Sequence, residues 1–125
     1  MITITIEQLV NAANTGSLKR FFECELSLPA WKALRHTAAA CDRELAVFEK
    51  KRQAMIAQHE GKPAASGLGL EFATKEQAEA FAADWSAIMA CAISDLPGDP
   101  IKLDDIVSGK LTAADLARIA PFLAD

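Results

Sequence analysis

Across its 125 residues this chain has few of the features that point to a chemistry. No apolar run approaches the roughly 20 residues that a membrane-spanning helix needs, so no membrane association is expected. Glycine (6) and proline (5) are scarce, which argues against a disordered chain. Cysteine is limited to Cys24, Cys41 and Cys91, far apart and without a C-x-x-C pair. An odd count without pairing spacing suits a reducing compartment. Excess positive charge is missing too: the net charge is −4 and the pI about 5.2. Proteins whose affinity rests on phosphate contacts usually show a basic face. Here the single basic run is Lys50-Lys51-Arg52, with Glu49 before it and His59-Glu60 beyond. On a helix those side chains spread around the axis, as on an ordinary solvated face. The opening Met1-Ile-Thr-Ile-Thr-Ile-Glu7 has no positive leader and no long apolar stretch, so a secretory signal is not expected and a cytoplasmic location is.

What is present is alanine-rich hydrophobicity. Apolar residues make up 51% of the chain and aromatics only 6%. This suits one domain, residues 1–125, with a core of closely packed helix. Trp31, Leu34, Ala38, Cys41, Leu45, Phe48, Arg52, Met55 and His59 are spaced alternately three and four apart. That seven-residue repeat predicts one long helix with a sticky seam. Pro29 suits its first position, Gly61 its end and Pro63 the exit, which makes a helix over about 29–60 some 48 Å long. A second helix over about 75–91 follows a capping box, Thr74 with Gln77, and carries Ala78, Phe81, Trp85, Ile88 and Ala92 in the same period. Two such helices joined by a short connection predict an antiparallel helical hairpin.

Shorter elements complete an α+β, mainly α, expectation with a small sheet and short terminal helices. Ile2, Ile4 and Ile6 alternate with threonine as in a strand. Thr5 with Gln8 reads as a capping box for a helix through Leu9, Val10 and Ala13, with Gly16 placed to end it. Strand to about Ile4 and helix thereafter is the preferred division. Residues 17–28 fit helix by Leu18, Phe21 and Phe22, and strand by Phe22, Cys24 and Leu26. Leu68, Leu70 and Phe72 alternate like a strand that would pair with the N-terminal one or with a later one. Ile101 and Leu103 suggest another short strand, and Asp104 a cap for one turn through Ile106 and Val107. Leu111-Thr112 with Asp115 and Leu116 combines a cap, a capping acid and a hydrophobic staple, opening a helix over 113–120.

Residue types capable of catalysis do not converge. His36 and His59 lie 23 positions apart on one predicted helix, roughly 35 Å, and cannot share a site. His59-Glu60 lacks the H-E-x-x-H spacing of a zinc helix, and no metal or cofactor is expected. Cys41 and Cys91 lie in or beside seams, where cysteine is a small buried hydrophobe. Asp95, Asp99, Asp104 and Asp105 stand beside proline and glycine, as turn and cap residues do. Gly67-Leu-Gly69 lacks the Lys-Ser/Thr of a phosphate loop. No enzyme is expected.

The second helix is about half as long as the first. It should cover the C-terminal half of the seam, where Arg52 and His59 interrupt the apolar row. The apolar end then needs another cover: the short terminal elements, or a second copy of the chain. Phe21, Trp31, Leu34 and Ala38 are therefore the expected contact surface of a homodimer or of another partner protein.

Leu28-Pro29, followed by Leu45-Ala-Val-Phe48-Glu49-Lys-Lys-Arg52-Gln-Ala-Met55, resembles the "LPV…AFEEARxxL" helix of a family of small uncharacterised tailed-phage and prophage proteins. In that family a turn, a short extended segment, a second helix, an "I-x-L" stretch and a C-terminal "L-x-P-A-D-L-x-x-L-x-P-F" follow. Ile101-Lys-Leu103 and Leu111-Thr-Ala-Ala-Asp115-Leu116-Ala-Arg-Ile119-Ala-Pro121-Phe122 keep that order, with alanine where the pattern has proline. The similarity spans roughly residues 28–123. It implies a phage context, the host cytoplasm, and a phage or host protein as partner; it carries no active site. The expectation is thus a non-enzymatic interaction or assembly accessory protein. The alternative is a small regulatory or nucleic-acid-associated protein using Lys50, Lys51 and Arg52.

Overall fold

A computed structural model describes every residue except Leu68 and Asp125. The chain folds as α+β. Strand β1 (Ile2–Thr5) runs into α1 (Ile6–Asn14), then α2 (Ser17–Phe22), β2 (Glu25–Leu26), α3 (Leu28–Leu34) and α4 (Thr37–Gln58). Next come β3 (Lys62–Pro63), β4 (Leu70–Glu71), α5 (Lys75–Met89) and β5 (Ala92–Leu96). A 3₁₀ turn (Leu103–Asp105), β6 (Ile106–Ser108), α6 (Ala113–Arg118) and a last 3₁₀ turn (Ala120–Phe122) complete it.

The core gathers around β1 rather than between the two longest helices. The alternation read in the sequence buries Ile2 and Ile4 on one face, and β1 pairs antiparallel with β5, Ile2 opposite Leu96 and Ile4 opposite Ile93. Phe21, Phe22 and Phe122 meet with ring centroids 5.2–5.9 Å apart, which brings α2 and the last turn together. Ala30, Leu34, Ala40 and Cys41 reach the same cluster from α3 and α4. The chain's own terminal elements therefore cover Leu34 and Cys41 at the apolar end of the seam, and Trp31 stays exposed.

Three caps form as the sequence implies. Thr5 with Gln8, Thr74 with Gln77, and Thr112 with Asp115 each make the reciprocal pair of hydrogen bonds of a capping box. Residues 17–28 satisfy both readings, as a helical turn ending at Phe22 and a strand at Glu25–Leu26.

Other expectations are corrected. The single helix over 29–60 is two, α3 and α4, broken at Arg35–His36. The connection after β5 packs into the break, where Thr37 Oγ1 donates to the Pro97 carbonyl at 2.7 Å. A local heptad pattern carries no trace of that contact. The terminator of α4 is not Gly61 but Glu60, at φ 57°, with Glu60 N–H bonded to the Ala57 carbonyl and Gly61 N–H to that of Ile56. This is a Schellman ending with glutamate in the left-handed place that glycine favours. The segment at 70–71 pairs with Lys62–Pro63 in a local antiparallel pair, not with the N-terminal strand; the Leu68 part of that expectation lies outside the described residues. Asp104 lies within a 3₁₀ turn, and Ile106–Ser108 form β6, paired with β2. Strand β5 was unanticipated because Ala92 continued the helical stripe.

Glu60→Gly is expected to raise stability by up to about 1 kcal/mol, since a left-handed L-residue costs that much. The gain is reduced by loss of the exposed bond from Gln77 Nε2 to Glu60. Urea unfolding of the variant beside the parent chain measures it, and an unchanged or lower midpoint argues against the strain.

Candidate functional site

The heptad repeat divides into two rows in the folded chain. Leu34, Cys41, Phe48 and Met55, seven apart, are all buried. Trp31 is exposed, and Ala38, Leu45, Arg52 and His59 are half-buried. The three middle members of this second row, Ala38, Leu45 and Arg52, lie along a groove.

Two hollows make up that groove and share Ala13 and Leu45. One, of about 400 Å³, lies between α2 and α4, with Leu18, Phe22, Ala38 and Asp42 on its walls. The other, of about 520 Å³, lies between α1, α4 and α5, with Val10, Phe48, Arg52 and Trp85. A further apolar hollow of about 430 Å³ continues past Arg52 and Trp85 to Leu70, Phe72 and Phe81. From Ala38 to Arg52 is 14 residues of helix, roughly 21 Å.

Aromatic contacts frame the far end. Phe72 packs on Phe81, Phe81 stacks on Trp85, and Trp85 meets Phe48 edge-on at 5.6 Å. His59 stands edge-on to Phe81 and bonds Asp84 at 2.7 Å, tying the end of α4 to α5. Helix α5 has no buried residue among those described; its stripe of Ala78, Phe81, Trp85 and Ile88 is half-covered. Arg52 makes a two-point contact with Glu49, at 2.9 and 2.8 Å, which holds the Glu49 carboxyl below the usual carboxylate range. The groove thus has an apolar floor, with the Arg52–Glu49 pair at the rim of one hollow and Lys19, Glu23 and Asp42 at the rim of the other.

A second cluster joins segments almost a hundred residues apart. The buried Asp115 carboxylate accepts from Ser17 Oγ at 2.6 Å, from Arg20 Nε and Nη2 at 3.0 and 2.6 Å, and from the Thr112 N–H at 3.1 Å. These donors, Arg20 first, hold its pKa far below the ordinary value. Every oxygen of this carboxylate is engaged in tying α2 to α6, a structural use rather than a poised acid or base.

The expected contact surface does not stay together. Phe21 and Leu34 are buried in the chain's own core, and Ala38 faces the groove; Trp31 alone of the four is exposed. The reason is that the terminal elements fold back over the apolar end. The basic run divides as well: Lys50 and Lys51 are exposed, whereas Arg52 turns to Glu49 and the groove. His36 is exposed at the helix break. Burial, with Asp42 and Glu44 adding to it, pushes the Cys41 thiol up to about 12, so it is a packing group. Cys24 is also pushed up by burial, its Sγ donating to the Arg20 carbonyl. No group of three or more metal-ligating side chains occurs among the described residues. No described helix is long and apolar enough to cross a membrane.

Comparison of the chain with protein-family models, curated proteins and solved structures gives no match.

Sequence reasoning missed the pairing of Ser17 and Arg20 with Asp115, for which no local signal exists. It also missed the groove, whose signal was present: of the two heptad rows, only the one with Arg52 and His59 carries charge.

Proposed function

We propose that this chain is a non-enzymatic protein–protein interaction protein, an assembly accessory encoded by a phage or prophage and working in the host cytoplasm. Its groove along α4 takes an amphipathic helix from a phage or host protein. The observation that carries this is the second heptad row: Ala38, Leu45 and Arg52 present a coiled-coil spacing to a groove about four turns long. A partner helix with apolar residues at the same spacing suits that floor. In this reading α4 and α5 work as an antiparallel hairpin whose aromatic contacts frame one end of the groove. The phage context rests on the resemblance around Leu28-Pro29, Leu45–Met55 and Leu111–Phe122.

Leu45→Arg places a charge on the groove floor, and Val47→Arg places one on an exposed site of the same helix. Affinity purification from phage-infected cells should recover a partner with the parent chain and with Val47→Arg, and lose it with Leu45→Arg, while circular dichroism shows all three folded. Equal recovery with Leu45→Arg would refute the groove. A DNA or RNA mobility shift at low salt, abolished by Lys50→Glu with Lys51→Glu, would favour the nucleic-acid alternative instead.

A further inference from the structure

We propose, resting on the groove reading above, that the helix the groove receives carries two large apolar side chains seven positions apart, small residues between them on the same face, and a lysine or arginine beside one of them. The spacing comes from the two hollows. The hollow on the α2 side meets α4 at Ala38, Asp42 and Leu45, and the hollow on the α5 side meets it at Leu45, Phe48, Glu49 and Arg52. Their midpoints along α4 are thus about seven residues apart, roughly 10 Å. On a partner α-helix laid along α4, side chains seven apart share a face and stand about 10.5 Å from each other. A β-strand repeats on one face at about 6.8 and 13.6 Å, and so fills one hollow at a time. The hollows, of about 400 and 520 Å³, each have room for a leucine or phenylalanine side chain.

A divide separates the hollows. Ala13 from α1 and Leu45 from α4 line both of them, and both side chains are half-buried. The partner residues that pass over this divide are the third and fourth after the first anchor. Alanine or glycine there lets the two helices close to the roughly 8–10 Å that packed helices keep. Charge decides the remaining feature. The charged side chains along the two hollows are Lys19, Glu23, Asp42, Glu49 and Arg52. Lys19 pairs with Glu23 at 3.9 Å, and Arg52 with Glu49 at 2.8 Å. Asp42 is exposed and makes no ion pair or hydrogen bond among the described residues. The two bases are thus each matched by an acid, and the unbalanced charge is the Asp42 carboxylate at the α2-side hollow. A cation on the partner helix complements it, and an anion there is repelled.

Synthetic peptides of about 18 residues, titrated to about 500 μM so that a Kd on the order of 100 μM is resolved, provide the test. The full chain carries Trp31→Phe, so that the emission of Trp85, on the wall of the α5-side hollow, reports binding. The first peptide has leucine at two positions seven apart, alanine at the third and fourth positions between them, and lysine flanking each leucine. It should bind and shift the Trp85 emission. The same peptide with glutamate for lysine should bind about fivefold more weakly, and Asp42→Asn should abolish that difference. Leucine in place of the alanines should weaken binding at least about tenfold, as should a proline there that breaks the helix. Equal binding of the lysine and glutamate peptides, or undiminished binding of the leucine or proline peptide, overturns the inference. Leu45→Arg distinguishes this failure from that of the groove itself. If it still loses the partner recovered from infected cells while the first peptide does not bind, the groove stands and the stated partner helix falls. If it alters neither partner recovery nor peptide binding, both fall.

Discussion

Asp115→Asn should lower the thermal midpoint at pH 7 by on the order of 10 °C, the largest effect expected of any single polar substitution in this chain. The amide keeps the volume but turns an NH₂ group toward a site built of donors: the Arg20 guanidinium and the Thr112 N–H, which cannot accept, and Ser17 Oγ, which donates to the carboxylate. One oxygen cannot replace the charge-assisted contacts that two made. Ser17 is fully buried and would lose its closest acceptor, whereas Arg20 is partly exposed and would recover water. The variant therefore loosens both the α6 cap and the junction of α6 with α2.

The loss should depend on pH in one direction. The folded-state pKa of Asp115 lies below its ordinary value of 3.8, so the ionised carboxylate contributes its stability above that value. The contribution declines as pH falls below about 4, toward the lower folded-state value. Other titrating carboxylates are shared by the parent and the variant and cancel in the difference. The gap in midpoint should be widest above pH 5 and narrow steadily toward pH 2. Thermal scans by circular dichroism across that range measure it, and a gap independent of pH would mean that Asp115 acts by shape alone.

Gly98→Ala should destabilise the chain by about 3 kcal/mol, a large part of the 5–15 kcal/mol that holds a typical domain together. Gly98 has φ 108°, a region that L side chains rarely adopt. A methyl there would also overlap Thr37 Oγ1 and approach the Ala33 carbonyl to 2.9 Å. Both neighbours flank the Arg35–His36 break, and Thr37 is the buried hydroxyl that holds the Pro97 carbonyl. The substitution should therefore separate the 97–98 loop from the bent helix. Urea unfolding gives the value. If straightening α3 into α4 relieves the overlap, helical ellipticity will rise as stability falls; an unchanged midpoint would show that the loop yields freely.

These two sites mark where local reading stops. Thr112, Asp115 and Leu116 were legible as a helix start because a capping box is written within four residues. That Asp115 would also receive Ser17 and Arg20 was not, because those residues are 98 and 95 positions away and carry ordinary surface-helix character. The seam shows the same division. Its seven-residue spacing predicted the helical segment, and its row of uninterrupted apolar residues is the buried one. The break at Arg35–His36 has no proline or glycine to announce it; it comes from a loop sixty residues downstream.

The sequence by itself determined the helix starts at Thr5, Thr74 and Thr112, the buried face of β1 and the heptad rows of α4, since each depends on backbone groups and side chains a few positions apart. Tertiary structure alone decided which strands pair, where the long helix bends, and which row of the seam is covered. It folded the terminal elements over Phe21 and Leu34, leaving Trp31 in solvent and the row of Ala38, Leu45 and Arg52 open along a groove. The physical reason is that apolar burial is non-directional: a sticky face specifies that it must be covered, and only the geometry of the whole chain specifies by what.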